Sequence, residues 1–419
     1  MESQTDHIRF ARAKNLWFPV AQAWRAEMMR ATGYLVAVIW LAASSAGDGC
    51  ALLAQSQQPG ETPISLSTQD RLEDMSWWPT KGTAPRSEYG GSAECAKCHV
   101  TTAASQLSTG MARASTRSMD PETLDGHKTL PFRQPPYTYE ILRSGDQVLG
   151  SVRDERSSIS RPLLFAFGKG NVGHTYIYKV AGNLFESRVS YYTEIGGLDL
   201  TTGHSNSPPP DLERALGREL EPEEAQRCFG CHTTFSTTAH HFDPEQSIAG
   251  VTCEACHGPG LKHVQAMKTG HLDQGKKSIL NPRRLDAASS VDFCGACHRT
   301  FGDVIQMNVN GVATVRFQPF RLEESRCWRR TNGQLTCVTC HDPHQPLVQQ
   351  GTSYDQICLR CHSQSSSRKG EKGRHPLVCS MGKVDCAGCH MPKVEIPGMH
   401  HAFTDHWIRI ARDGMPYPN

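Results

Sequence analysis

Two cysteines separated by two residues and followed at once by a histidine occur seven times in this chain. They are Cys95-Cys98-His99, Cys228-Cys231-His232, Cys253-Cys256-His257, Cys294-Cys297-His298, Cys337-Cys340-His341, Cys358-Cys361-His362 and Cys386-Cys389-His390. This is the attachment pattern of c-type haem: the two thiols become thioethers to the vinyl groups, and the adjoining imidazole becomes the proximal iron ligand. Zinc knuckles, iron–sulfur ligation and thioredoxin-like redox pairs use similar cysteines but need no histidine directly after the second. Histidine makes up 20 of 419 residues. One such neighbour arises by chance about 5% of the time, and seven in seven on the order of once in a billion. The sequence therefore predicts seven covalently attached haems. Of 17 cysteines, Cys50, Cys327 and Cys379 are left over.

Seven six-coordinate irons need seven further ligands. His263 follows its motif in Cys-His-Gly-Pro-Gly-Leu-Lys-His, and His344 follows His341 in Cys-His-Asp-Pro-His. Both are candidate distal ligands, and His344 would serve a neighbouring haem. Further candidates are His375, His406, His204, one of His400 and His401, and one of His240 and His241. His127, His174 and His271 read as exposed or supporting histidines, and His7 falls in the leader. No histidine lies between His99 and His127, so Met111, in Ser108-Thr-Gly-Met-Ala-Arg, is the local candidate for the first haem. A thioether ligand would raise that iron's potential relative to a bis-histidine one.

Hydrophobic residues make up 38% of the chain and aromatic ones 7%, below an ordinary globular domain. Six motifs fall between 228 and 390, about 27 residues per haem, too few for a protein-only core between them. The expected fold is mainly α and irregular, with the haems as core and one small antiparallel β insert. The formal charge is +2. Two propionates per haem would add about −14 in all, and no basic stripe is present, so nucleic acid is not an expected partner.

Arg25 and Arg30 precede an uncharged run, Ala31 to Ala46, of signal-peptide length. A leader at 1–54 is expected, with Met28 or Met29 as an alternative start and no stable membrane span after cleavage. Haem attachment of this kind is extracytoplasmic in bacteria, which points to the periplasm. Residues 55–90 read as a linker and 91–127 as the first haem segment. A β insert follows at 128–200, then a hexahaem domain at 201–419. Within the insert two hairpins are expected: Tyr137–Leu142 with Gln147–Val152, and His174–Val180 with Leu184–Tyr192. Leu212 to Arg227 reads as helical and leads into Cys228.

Several segments carry a family likeness. They include Gly90-Gly-Ser-Ala-Glu-Cys-Ala-Lys-Cys-His, Ser108-Thr-Gly-Met-Ala-Arg and Phe132-Arg-Gln-Pro-Pro-Tyr-Thr-Tyr. Others are Cys253-Glu-Ala-Cys-His-Gly-Pro-Gly, Arg321-Leu-Glu-Glu-Ser-Arg-Cys, Leu335-Thr-Cys-Val-Thr-Cys-His-Asp-Pro-His, Cys386-Ala-Gly-Cys-His-Met-Pro-Lys and Phe403-Thr-Asp-His. In this order they resemble bacterial multihaem c-type cytochromes with a cytochrome c554-type domain. The resemblance implies His263, His344, His375 and His406 as distal ligands, and Met111 as another. It departs at Gly168-Lys-Gly-Asn-Val-Gly-His174, so no role carries over to His174.

The function expected is electron transfer between redox partner proteins along a haem array. One alternative is a reductase of nitrite, hydroxylamine or a sulfur oxyanion at an open first haem, with Arg113, His174 and Tyr176 as neighbours. A second is a subunit of a haem filament or conduit. The leftover Cys327 and Cys379 have two readings: a disulfide in an oxidising compartment, or two buried free thiols beside haems.

Overall fold

The computed structural model describes residues 84–117, 124, 129–168, 172–238, 241–331, 335–362, 379 and 382–411, all within one compact unit, Ser56–Asn419. The leader at 1–54, most of the linker, His7, His127, His240 and His375 lie outside the described residues. So does the side chain of His241.

The first half of the described chain is dominated by a nine-stranded antiparallel sheet. Its strands are β1 (Ser115–Thr116), β2 (Thr129–Gln134), β3 (Tyr137–Ser144), β4 (Gln147–Arg153), β5 (Ser158–Phe167), β6 (Gly173–Val180), β7 (Asn183–Tyr192), β8 (Gly197–Leu200) and β9 (Gly217–Glu219). β2 to β8 lie in sequence order, β1 pairs with β5, and β9 pairs with β7. β2 and β8 also lie beside each other, so the sheet curls towards closure.

Alternation builds this sheet. Tyr137, Tyr139 and Ile141 of β3 point inward, as do Val148 and Val152 of β4, while their neighbours face out. The β6–β7 turn places Ala181 and Gly182 at φ 48° and 97°, the left-handed pair that a two-residue hairpin of this twist requires. One face buries Tyr139, Ile141, Val152, Tyr176, Tyr178 and Leu216 in a core made of protein alone.

This corrects the expected fold class. The β element is not a small insert in a haem-cored helical fold; it runs from Ser115 to Glu219 and has its own core. The two foreseen hairpins are β3/β4 and β6/β7. β5 escaped notice because its first half, with Arg161 and Pro162, is half-exposed and only its second half is buried. β9 escaped because Leu212 to Arg227 reads as one charged helix. Gly217 interrupts it: the backbone there passes so close to β7 that a Cβ would run into the Glu186 carbonyl oxygen.

The rest is short helices. α1 (Ser92–Ala96) and α2 (Val100–Leu107) precede the sheet. α3 (Leu212–Leu216) lies between β8 and β9, and after the sheet come α4 (Pro222–His232), α5 (Cys253–His257), α6 (Leu261–Lys268), α7 (Leu272–Lys277), α8 (Ala287–His298), α9 (Phe301–Met307), α10 (Gln318–Glu323), α11 (Arg326–Arg330), α12 (Cys337–Cys340), α13 (Asp355–His362) and α14 (Cys386–His390). A second apolar cluster, with Phe165, Phe167, Ile177 and Phe229, joins the sheet to α4. Beyond it the one further cluster among the described residues is Leu285 and Ala296 with Phe293. The helical half thus has little protein-only core. No helix among the described residues is long and apolar enough to cross a membrane.

Candidate haem-binding site

Each attachment motif lies in or at the end of a short helix. α4, α5, α8, α13 and α14 each end on their motif's histidine. His99 and His341 fall just beyond α1 and α12.

Imidazoles face one another across three of these motifs. The ring centres of His99 and His263 are 6.5 Å apart, those of His257 and His344 6.0 Å, and those of His341 and His406 6.2 Å. A metal–imidazole bond of about 2.0–2.1 Å, plus about 1.1 Å from nitrogen to ring centre, puts two rings across one iron about 6.2–6.4 Å apart. The three pairs therefore have the separation of bis-histidine haem ligation, and these residues fit that group.

Hydrogen bonding selects the nitrogen. Nδ1 of His257 bonds the Leu280 carbonyl (2.9 Å), Nδ1 of His263 that of Gly275 (2.8 Å), and Nδ1 of His406 that of Thr404 (3.0 Å). His232 and His390 do the same to Ala114 (2.9 Å) and Arg409 (2.8 Å). Each bond takes up Nδ1 as donor and leaves Nε2 to bind metal. Burial lowers the pKa of His257 and His341, and takes His406 down to about 4. These rings are neutral at physiological pH, the form that ligates iron.

The thiols adjoin one another out of sequence order. Cys95 lies against Cys253, Cys294 against Cys337, and Cys358 against Cys386. Cys231 Sγ is 3.7 Å from the carbonyl of Ala296, inside the fourth motif. Cys256 lies within electrostatic reach of Cys294, and Cys340 of Cys358.

The comparisons with known proteins agree with this chemistry. A family model described as cytochrome c554 and c-prime matches residues 205–258. The multiheme cytochrome MtrA of Shewanella baltica is 24% identical over 213 residues, which cover 47% of this chain and 54% of that protein. The chain resembles the multihaem c-type cytochromes. A second relative, the high-molecular-weight cytochrome c of Nitratidesulfovibrio vulgaris, is 22% identical over 188 residues, 44% of this chain and 29% of its own length. The chain thus spans about half or less of the curated relatives it matches. No solved structure matches it.

Other expected ligands sit differently. Nε2 of His204 is engaged by Glu186 at 3.2 Å and Nε2 of His400 by Asp199 at 2.7 Å, so each presents to a carboxylate the nitrogen that iron would need. His401 packs edge-on against Phe403. Met111 contributes its backbone carbonyl to Ala114 and Val251, while the ring facing His99 is that of His263. Tyr176, expected beside an open first haem, is wholly buried in the sheet core. Cys327 and Cys379 are free thiols rather than a disulfide, and Cys327 lies within electrostatic reach of Cys358 and Cys361 of the sixth motif.

Three supporting features have no motif signature. Phe167 of β5 stacks on His232 with centres 5.0 Å apart, and Ser115 donates to the His232 carbonyl at 2.6 Å, so the sheet backs the second site. Arg321, 1% exposed, forms a two-pronged pair with Asp405 at 2.9 Å on each arm and lies 4.6 Å over the Trp407 ring. That pair brackets His406. Third, the carboxylates of Glu254 and Asp355 are buried and accept from the backbone at the entry to another motif.

Proposed function

We propose that this chain is an extracytoplasmic, periplasmic electron carrier holding seven covalently attached c-type haems and exchanging electrons with redox partner proteins. The attachment residues are the fourteen cysteines of the seven motifs, and the proximal ligands are His99, His232, His257, His298, His341, His362 and His390. The observation that carries the reading is the three facing imidazole pairs, His99/His263, His257/His344 and His341/His406, at 6.0–6.5 Å.

A haem held between two histidines supplies a one-electron iron couple with no open coordination position. The residues around it do the tuning. Backbone carbonyls orient the rings, burial keeps them neutral, and the sheet screens the second site from water. The attachment sites follow one another, in contact or within electrostatic reach, in the order first, third, fourth, fifth, sixth, seventh, with the second joining at the fourth. That contiguity suits passage of electrons along the chain's length. The reductase alternative rested on the lack of a histidine near His99, and His263 takes that place.

The test is intact mass of the denatured protein purified from a host competent in c-type haem attachment. Seven haem masses retained per chain is the expected result. Fewer than seven would overturn the count, and none would overturn the reading.

A further inference from the structure

We propose that Glu254 and Asp355 are positioning residues of the electron path, each a carboxylate clasp that fixes the separation of two haems. The proposal rests on the haem-carrier reading above.

Glu254 follows Cys253 directly and is 1% exposed. Its two oxygens reach out of α5 and accept from the backbone N–H groups of Gly90 and Gly91, each at 2.8 Å. Those two residues lead straight into α1, which carries Cys95. A third bond, from Gly260 N at 2.7 Å, holds the same carboxylate against its own chain. Asp355 repeats the device elsewhere. It opens α13, three residues before Cys358, and is 5% exposed. Its oxygens accept from Asp385 N and Cys386 N, each at 2.8 Å, and Cys386 is itself an attachment cysteine.

The two clasps share a geometry that neither helix packing nor chain connectivity requires. In both, one carboxylate beside an attachment cysteine grips two successive backbone N–H groups at the entry to a second motif. In both, the thiols of the gripped pair touch: Cys95 with Cys253, and Cys358 with Cys386. A buried carboxylate needs its hydrogen bonds made, so the two motifs cannot drift apart without stranding it. Glu254 is next to Cys253 and Asp355 lies about one helical turn before Cys358, so each carboxylate is anchored near the thioether on its side. Haem separation in the first/third and sixth/seventh pairs is thus fixed at the backbone rather than by soft side-chain packing. These two pairs are also the ends of the proposed path.

The experiment is iron anomalous scattering from crystals of the haem-loaded full chain, as wild type, Glu254→Gln and Asp355→Asn. An amide keeps the size but can accept at only one of the two positions. Glu254→Gln is expected to shift or disorder the first iron relative to the third and leave the sixth–seventh separation unchanged. Asp355→Asn is expected to do the reverse, and Asp355→Glu, which keeps both oxygens, to restore the wild-type separation in part. Loss of the pair's own haem with the others retained supports the same role. Unchanged separations in both variants, or uniform loss of all haems in both, overturn the proposal. A wild-type chain without covalent haem would instead overturn the carrier reading.

Discussion

His99 and His263 face each other with ring centres 6.5 Å apart, one at the entry to α2 and the other on α6. Glu254 ties the two segments together, since it binds Gly90, Gly91 and Gly260 at once. The histidine missing from the neighbourhood of the first motif in sequence is thus brought to it by a contact between distant segments.

His263→Ala should therefore open the first haem. Its iron becomes high-spin and binds cyanide, while mass spectrometry still finds all the haems attached. Met111→Leu should leave the wild-type spectrum unchanged. An open iron in the Met111 variant would mean that the methionine, not His263, is the ligand.

Removing Arg321 should be costly. Its guanidinium is buried against Asp405, which keeps a second partner in Arg409; removing one side of a buried pair costs up to about 3–5 kcal/mol. Denaturant unfolding of haem-loaded Arg321→Met should show a loss of that order. Burial pushes the Asp405 pKa up, but hydrogen bonds from Arg321 and Trp407 N outweigh it and hold the group below its usual value. A carboxyl lowered in the folded state stabilises above its unfolded pKa of about 3.9, and the gain is lost as pH falls through the folded value. The wild type should lose stability on acidification below about pH 4, and Arg321→Met should lose less. Equal losses in the two proteins would contradict this.

Phe229 is wholly buried, with Phe165, Phe167 and Phe242 rings around it at 4.8, 4.9 and 5.4 Å. Phe229→Ala should cost about 3–5 kcal/mol. The same change should disturb the haem bound through His232, because Phe167 packs on both rings. An unfolding curve and a second-haem spectrum both like wild type would count against the sheet's role in backing that site.

Cys327 and Cys379 should both be alkylated in denatured protein that has never been reduced. Protection of the two together, released by reductant, would reinstate the disulfide that the sequence suggested.

The attachment chemistry was legible because it is local: two thiols and an imidazole within five residues carry their meaning wherever they fold. Which histidines face one another was less legible. His344 faces His257 of the third motif, and nothing in Cys-His-Asp-Pro-His says which of the neighbouring motifs it meets. Met111 drew attention through nearness in sequence, which does not govern which ring another helix brings to face His99. His204 and His400 illustrate the converse: the carboxylates that engage them, Glu186 and Asp199, come from strands β7 and β8. The sheet was underestimated for a related reason. Its central hairpins alternate clearly, but β1, β9 and the first half of β5 are strands by pairing rather than by pattern.

Electron paramagnetic resonance of the oxidised, haem-loaded protein tests the central claim, that paired histidines close these irons, most directly. Low-spin signals from the first, third and fifth haems, unchanged by nitrite or cyanide, are the predicted result. A high-spin iron that binds either anion at the first, third or fifth haem would contradict it.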